Sequence, residues 1–267
     1  MTHEAVDAAM DLCRQGDYFL GEYSFVSLSR VTTENSDDAE WAEQPVAGLV
    51  LVSQSCDIAR TCRTRPLVEL CPLVEVEDAE LQKIIACERV RFAALPSLCE
   101  QRLVVDLDRT MTAEKAVVAK WTRSQGPSTD SERRDFARAL SRKRLRFAFP
   151  DDFNKYVQPL RRRLLEKHGK ESPEGAALRA LVEVRVLAEP SWDSPAVQLT
   201  FFFVRNTGSA TTFGGRRWDQ WNEDWIDRLV DAPRFKNPEG LVVDYGSMTA
   251  AEYLESDGLD LEYLSVA

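Results

Sequence analysis

Two apolar segments separated by a polar cluster constrain the fold of this chain more than any other part of it. Residues 49–52 form the first apolar segment, and residues 66–76 form the second. Short apolar runs bounded by polar residues are typical of buried strands, and loops on a rigid scaffold often carry functional groups. We therefore predict two buried strands whose connection holds chemically active side chains. The polar and basic residues of this connection are Ser53, Gln54, Ser55, Cys56, Asp57, Arg60, Arg63 and Arg65.

Cys56 and Asp57 are candidate catalytic residues within this connection. Cys56 is the only cysteine flanked by hydroxyl, amide, carboxylate and nearby guanidinium groups, and neighbouring cations favour the reactive thiolate. Three interpretations stay open: turn residues around a small buried thiol, a loop that binds a ligand or polyanion, and a cysteine nucleophile. A cysteine nucleophile usually needs a general base, and the chain has only two histidines, His3 and His168.

The composition argues against several classes of protein. With 44% hydrophobic and 29% charged residues, the chain resembles ordinary globular proteins, and no stretch reaches the ~18 consecutive apolar residues of a membrane span. The acidic N-terminus has no apolar signal core, which favours a cytoplasmic protein with reduced thiols. The cysteine spacings do not match a zinc site, and Walker and GxSxG motifs are absent from the sequence. We therefore expect no metal and no cofactor.

A basic segment in an acidic chain is the second candidate functional feature. Residues 133–170 carry thirteen Lys or Arg and four Asp or Glu, whereas the whole chain has a net charge of -10. Arginines recur there at every fourth position, which places them on one face of a helix predicted over residues 132–146. A concentrated basic face is a candidate polyanion site. The predicted nucleic-acid-binding residues are Arg134, Arg138, Arg142, Lys143 and Arg146.

Two other interpretations of this basic segment stay open. Charged residues mostly decorate surfaces, so the segment is in one interpretation only a solvated helix face. In the other it docks on acidic residues, either in a protein partner or in the same chain. Residues 219–267 contain twelve Asp or Glu and three Lys or Arg, which makes them the candidate acceptor within the chain.

The character of the sequence changes near residue 130. Upstream, alternating apolar residues predict mainly strands, and downstream the i+3 and i+4 spacings predict helices and one β-pair. Residues 122–131 combine Gly, Pro, Ser and Thr, which indicates a linker. We predict an α+β protein with a strand-rich domain over 1–125 and a helix-rich α+β domain, including the basic helix, over 132–267. The tryptophans expected in the core of the second domain are Trp218, Trp221 and Trp225.

The strand-rich part of the chain resembles the PemK/MazF group of small barrels, which are bacterial growth-inhibiting endoribonucleases and their relatives. The matching segments are QGDYFLGEYSFVSLS, GLVLVSQSCDI, PLVELCPLVEV and RLVVDLDRTMTAEKAVVAK. The resemblance implies an SH3-like barrel over residues 1–125, frequent dimerisation, and RNA as the substrate class.

The residues of the family's RNA-cleaving pair have no counterpart in these segments. The family's arginine before the second long strand falls here at residues 45–48, which contain no arginine. The family's serine or threonine falls near Cys71, where no hydroxyl stands. Arg65 is the candidate to replace the arginine. The predicted catalytic residues are therefore Cys56, Asp57 and Arg65, and whether the protein is an enzyme stays open.

Together these features predict a bacterial nucleic-acid-binding or RNA-processing protein of a toxin–antitoxin or phage-defence type. RNA is favoured over DNA, no membrane is involved, and a homodimer is an open alternative. The other function class is a non-catalytic protein–protein interaction module of a defence or regulatory complex, which binds an acidic partner. A concave face that holds both the arginine ladder and the Cys56 loop would favour the nucleic-acid function, whereas acidic residues of 219–262 that cover the ladder would favour the interaction module.

Overall fold

The computed structural model describes residues 1–30, 39–86, 89–145, 147–259 and 261. Helices and mainly antiparallel sheets alternate along the chain, which confirms the predicted α+β class. The chain divides into two compact units, Met1–Leu145 and Arg146–Ala267. Within the part of the chain that is described, no helix is long and apolar enough to cross a membrane.

The first unit combines mostly short helices with one antiparallel sheet. It begins with α1 (His3–Met10), where the Thr2 side chain accepts a hydrogen bond from the Ala5 amide and caps the helix. The elements that follow are β1 (Tyr18–Arg30), β2 (Ala39–Leu51), α2 (Ser55–Ile58), β3 (Leu67–Glu75), α3 (Asp78–Ile85), β4 (Phe92–Ala93), a 3-10 helix (Pro96–Gln101), β5 (Leu103–Asp106), β6 (Met111–Glu114), α4 (Lys115–Val118) and α5 (Asp130–Arg144).

The strands of the first unit form an antiparallel sheet in the order β1-β2-β3-β5-β4, and β6 also pairs with β3. The Val26 amide in β1 donates to Sδ of Met111 in β6 at 3.5 Å, so these two strands approach each other. Among the described residues, however, no hydrogen-bonded ladder joins β1 to β6. The SH3-like barrel predicted over 1–125 is therefore not confirmed, whereas its antiparallel sheet is present.

Strand β3 separates two hydrophobic clusters, which explains its nearly continuous apolar sequence. Successive side chains of a strand point to opposite faces. Val68 and Leu70 pack in a cluster with α1 residues such as Met10. Cys71 and Leu73 pack in the other cluster. A strand that is covered on both faces has a nearly continuous apolar sequence rather than an alternation of apolar and polar residues.

Two local predictions are corrected by strand pairing. The sequence pattern predicts a helix over 113–121, but Met111–Glu114 pairs with β3, and only Lys115–Val118 is helical. The pattern also predicts an exposed loop over 32–45. Residues 39–45 instead continue β2 opposite β1, and residues 31–38 lie outside the described residues. Cross-strand pairing decides such segments more strongly than local propensity does.

Helix α5 belongs to the first unit, so the division of the chain differs from the predicted boundary at 125–132. Phe136 and Leu140 of α5 are buried in the same cluster as Val50 and Leu73. Burial of these two side chains stabilises the attachment of α5 by roughly 1.5–3 kcal/mol each. The basic helix is therefore part of the strand-rich unit and not of the second domain.

The predicted linker over 122–131 is tied to the start of β1. Ser124 exchanges backbone hydrogen bonds with Tyr18. The buried Asp17 carboxylate accepts hydrogen bonds from the Gly126 amide at 3.0 Å and from Arg123 at 2.8 Å. A side chain at Gly126 would overlap the backbone of Gly16. This segment is therefore packed against the start of β1, although its composition is that of a linker.

We expect residues 122–131 to resist limited proteolysis as well as the surrounding sheet does. Cleavage needs a segment that unfolds locally, and the buried carboxylate of Asp17 holds this one in place. Mass spectrometry of early tryptic fragments would check the expectation, because Arg123 is an available cleavage site. The matched comparison is the D17N variant, in which cleavage after Arg123 should become early. Early cleavage there in the unmodified protein would contradict the packing described above.

The second unit places helices beside a four-stranded sheet in the order β11-β8-β7-β12, in which β11 is parallel to β8. Its core confirms the predicted burial of Trp221 and Trp225, whereas Trp218 is only half-buried. The elements are α6 (Asp151–His168), α7 (Pro173–Arg179), β7 (Leu181–Glu189), β8 (Val197–Arg205), β9 (Thr212–Phe213), β10 (Arg216–Arg217), α8 (Trp218–Ile226), β11 (Phe235–Val243), α9 (Ala250–Glu255) and β12 (Asp257–Gly258).

Candidate binding cleft

A cleft of about 670 Å³ lies within the first unit, between the polar loop that follows β2 and one side of α5. The polar loop and the basic helix therefore both contribute to one concave surface, although Cys56 and the ladder positions 134, 138 and 142 are not among the residues that line it. Its lining combines polar and apolar side chains. The lining residues are Gln15, Val52, Ser53, Gln54, Asp57, Arg65, Leu67, Val68, Glu69, Thr112, Ala137, Leu140, Ser141, Arg144 and Leu145.

The polar loop is ordered by its own hydroxyl groups. The Ser53 hydroxyl accepts a hydrogen bond from the Glu69 amide in β3 at 2.7 Å. The Ser55 hydroxyl accepts one from the Gln15 amide at 3.1 Å. Ser55 also begins the single turn of α2. Short hydroxyl side chains satisfy backbone amides where a buried strand ends, so this loop keeps a defined shape between β2 and β3.

The buried side chain of Lys115 supports the loop from the interior of the unit. Its side chain is fully buried, and its ammonium donates to the carbonyl oxygens of Asp57 at 2.8 Å and Arg60 at 2.5 Å. Burial lowers the pKa of Lys115, and the nearby Asp7 carboxylate acts in the opposite direction. The sequence shows Lys115 only as one lysine in a predicted helix, so no pattern singled it out.

Asp7 of α1 holds the far end of the same loop. Its carboxylate accepts hydrogen bonds from the Thr61 hydroxyl at 2.6 Å and from the Cys62 amide at 2.7 Å. The Thr61 hydroxyl is the main cause that lowers the pKa of Asp7 to about 2. The loop is therefore attached to two separate elements, α1 and α4, and presents Arg65 to the cleft.

Arg144 of α5 spans the cleft. Its guanidinium lies 2.7 Å from the Glu69 carboxylate on β3, so one ion pair joins the two walls. The charged lining residues are two acids, Asp57 and Glu69, and two arginines, Arg65 and Arg144. The pair is partly exposed, and such pairs contribute at most about 1 kcal/mol. A ligand anion could therefore replace Glu69 at Arg144 at small cost.

The predicted catalytic residues are only partly brought together. Asp57 and Arg65 line the cleft, but the lining residues do not include Cys56. Cys56 is exposed, and its thiol lies 3.6 Å from the Gln54 side chain oxygen. Asp57 has Arg60 as its basic neighbour, at 3.8 Å. The geometry groups Asp57 and Arg65 in a binding surface and leaves Cys56 outside it.

The predicted nucleic-acid-binding residues also separate into different environments. Arg134 and Arg138 are exposed, and Arg138 lies 3.4 Å from Asp135 of the same helix. Lys143 forms an ion pair with Asp108, and Arg142 is half-buried. Arg146 lies outside the described residues. The i+4 ladder is thus not a uniform row of unpaired cations.

Helix α5 faces the cleft with residues that the ladder pattern missed. The cleft-lining positions are 137, 140, 141, 144 and 145, which are spaced by three and four residues. This stripe lies next to the ladder, includes the buried Leu140 and runs beside the buried Phe136. The available signal was the small residues Ala137 and Ser141, which leave room for a concave surface beside an otherwise bulky helix.

Thiol reactivity should separate Cys56 from Cys71. Cys56 is exposed, whereas Cys71 is buried beside Thr110, and burial raises its pKa to about 11. Because the thiolate is the reactive form, we expect iodoacetamide near neutral pH to label Cys56 at least about tenfold faster. Peptide mass spectrometry over time measures both rates in one sample. If Cys56 were among the least reactive thiols, the nucleophile hypothesis would be wrong.

Comparison with known proteins adds no family assignment. No protein-family model matches the sequence, and no curated protein matches it. In the described residues, no group of three or more His, Cys, Asp or Glu side chains is arranged to hold a metal ion. The cleft itself is therefore the main guide to function.

Proposed function

We propose that the first unit binds single-stranded nucleic acid, RNA in preference to DNA, in the cleft between the polar loop and α5. One observation supports this proposal above the others: Arg65 of the loop and Arg144 of the basic helix both line the cleft. These two segments are the ones whose sequence patterns predict function. The protein would then be of the bacterial toxin or defence type, with an SH3-like barrel as its scaffold.

Charge along α5 extends the proposed site beyond the cleft. Arg134 and Arg138 are exposed on the same helix as Arg144, about three and about two turns before it. A nucleic-acid backbone that enters the cleft at Arg144 would pass these two side chains, and contacts to phosphate position the strand without reading its sequence. Arg65 would contact the backbone from the polar loop. Four phosphate contacts are the basis for the salt dependence expected below.

The remaining lining groups suit exposed bases. Gln54, Thr112 and Ser141 offer donors and acceptors for base edges. Recognition of single-stranded RNA uses such hydrogen bonds together with packing against base faces. The acids Asp57 and Glu69 disfavour phosphate at their own positions, so they would direct bases rather than backbone toward β3. This arrangement supports binding, and we assign no catalytic step to it.

The test exploits the ion pair between Glu69 and Arg144. The R144Q variant should bind a short RNA roughly tenfold more weakly at low salt and lose about one unit of the log–log salt slope. The E69Q variant should bind about two- to fivefold more tightly, because Arg144 no longer pairs with a carboxylate. Fluorescence anisotropy with single-stranded RNA and DNA measures both.

The matched control is E75Q. Glu75 also lies on β3 and pairs with an arginine, Arg102 at 2.5 Å, but it does not line the cleft. Its removal changes the net charge by the same amount and should leave affinity unchanged within about twofold. Equal gains in E69Q and E75Q would show an effect of overall charge. Absence of binding by the parent protein to both RNA and DNA would refute the proposed function.

A protein-interaction module is the second candidate, and the exposed leucines at the cleft support it. Leu67 is 54% and Leu145 is 78% exposed, and both line the cleft. Together with two acids and two arginines, they suit a peptide that carries an apolar side chain and both charges. Co-purification with identification of both nucleic acid and protein separates the candidates, because an L67S/L145S variant, which adds no charge, should lose a peptide partner but keep phosphate contacts.

A further inference from the structure

We propose that Lys115 is the positioning residue of the cleft, whose ammonium holds the polar loop in the conformation that places Asp57 on its wall. This inference rests on the proposed function for its consequence in binding. Its structural part, the ordering of the loop, is measured without any ligand.

Lys115 contacts the loop through both its side chain and its backbone. The ammonium donates to the carbonyl oxygens of Asp57 and Arg60. Its backbone amide donates to the carbonyl oxygen of Pro66 at 2.8 Å. The three acceptors lie at the end of α2, just after it, and at the entry to β3. One residue thus fixes the loop at three points, on both sides of Arg65 and at Asp57 itself.

The chemistry at this position requires a cation with several donors. Carbonyl oxygens at the C-terminal end of a helix are unsatisfied and carry partial negative charge, and a cation there is stabilising. An apolar side chain of similar length would fill the space but leave the carbonyls of Asp57 and Arg60 buried without a donor. A buried ammonium is costly unless such partners are present. Lys115 and the loop therefore depend on each other.

Asp7 adds a second attachment that does not replace the first. It binds the Thr61 hydroxyl and the Cys62 amide, which lie between the Lys115 side-chain contacts at 57–60 and its backbone contact at Pro66. If the Lys115 contacts are removed, residues 54–60 lose their support while Asp7 keeps 61–62 attached to α1. Local loosening, rather than unfolding of the whole unit, is the expected consequence.

The first experiment measures hydrogen exchange in K115M and in K120M. Methionine keeps the length of the side chain and removes the ammonium. Lys120 follows shortly after α4 and is exposed, so K120M removes the same charge without touching the loop. We expect amide exchange in 54–60 to accelerate about 10- to 100-fold in K115M, as loss of charged hydrogen bonds predicts, and to stay at the parent level in K120M. Exchange in β3 and α5 should change little.

The second experiment is a double-mutant cycle with D57N, measured by RNA anisotropy. D57N removes an acid from the cleft wall and should tighten binding about two- to fivefold in the parent and in K120M. In K115M it should have less than about a 1.5-fold effect, because Asp57 is no longer held on the cleft wall. A merely structural lysine would give additive effects, since it would lower the folded fraction without changing what Asp57 contributes.

The outcomes are distinct for the two proposals. Accelerated exchange confined to 54–60, with a non-additive cycle, supports the role of Lys115. Unchanged loop exchange, or acceleration spread evenly over the first unit, overturns it. If the parent binds no RNA, the proposed function fails while the exchange data still decide whether Lys115 orders the loop. Should K115M not fold, K115Q is measured instead: its shorter, uncharged side chain should accelerate exchange in 54–60 less, about 3- to 10-fold, and acceleration spread evenly over the first unit would again overturn the proposal.

Discussion

Replacing Arg65, Arg134, Arg138 and Arg144 together with glutamine is expected to remove most of the salt dependence of RNA binding. Each phosphate contact releases counterions, and four contacts on a single strand give a log–log slope of about -3. With that slope, a fourfold rise in salt lowers the affinity of the parent about 50-fold. The quadruple variant should bind weakly at low salt and show a slope near zero for all RNA sequences. Anisotropy titrations at several salt concentrations measure the slope directly.

The control is a second quadruple variant, which carries the same change of charge but in the second unit. Its four substituted side chains are exposed and lie outside the cleft: Lys155, Arg162, Arg228 and Lys236. If both quadruple variants lost the same slope, binding would be a general effect of basic residues. A parental slope in the cleft variant would refute the assignment of these arginines. Loss of its melting transition would instead show that the arginines stabilise the fold through acidic groups of the chain.

Trp225 to Ala is expected to give the largest loss of stability, about 3–5 kcal/mol of unfolding free energy. Trp225 is fully buried in the core of the second unit. Its ring lies 4.9 Å from that of Phe203 and 6.4 Å from that of Trp221, so truncation leaves a cavity among residues that cannot easily collapse. Urea unfolding followed by circular dichroism would measure the change.

Trp218 to Ala is the matched comparison for that loss. Trp218 begins the same helix but is only half-buried, with its indole N–H bonded to the Ala210 carbonyl. Because Trp218 buries less apolar surface than Trp225 does, its replacement should lower the unfolding free energy by less than half as much. Equal losses of stability in the two variants would mean that the difference in burial between Trp218 and Trp225 does not determine how much each side chain stabilises the unit. Neither substitution lies in the cleft, so both should leave RNA affinity unchanged in folded protein.

Elements with strong local signals were predictable from the sequence. The apolar spacing over Phe153, Val157, Leu160 and Leu164 indicates the buried stripe of α6, and all four side chains are fully buried. The pair Thr249 and Glu252 has the spacing that predicts a capping box, and the two residues form one at the start of α9. The sequence also predicts a short helix over 78–85, and α3 has these bounds. These features depend on residues a few positions apart, so a linear sequence contains the information that determines them.

The prediction of the site succeeded for the segments and failed for several residues. The polar loop and the basic helix were recognised because each is locally unusual in composition. Which of their side chains share a surface depends on the rotation of α5 about its axis, and burial of Phe136 and Leu140 sets that rotation. The result brings Arg144 to the cleft, whereas Arg134 and Arg138 lie beside it and Lys143 pairs with Asp108.

The sequence by itself determined the α+β class, the buried strand β3, the main helices and the two segments of candidate function. Only the tertiary structure decided that residues 122–131 are packed, that α5 belongs to the strand-rich unit, and that Lys115 lies under the loop. The physical reason is the separation of the partners along the chain. Asp17 meets Gly126, and Lys115 meets Asp57, across many residues. No local pattern records a contact whose energy depends on where two distant segments come to lie in the fold.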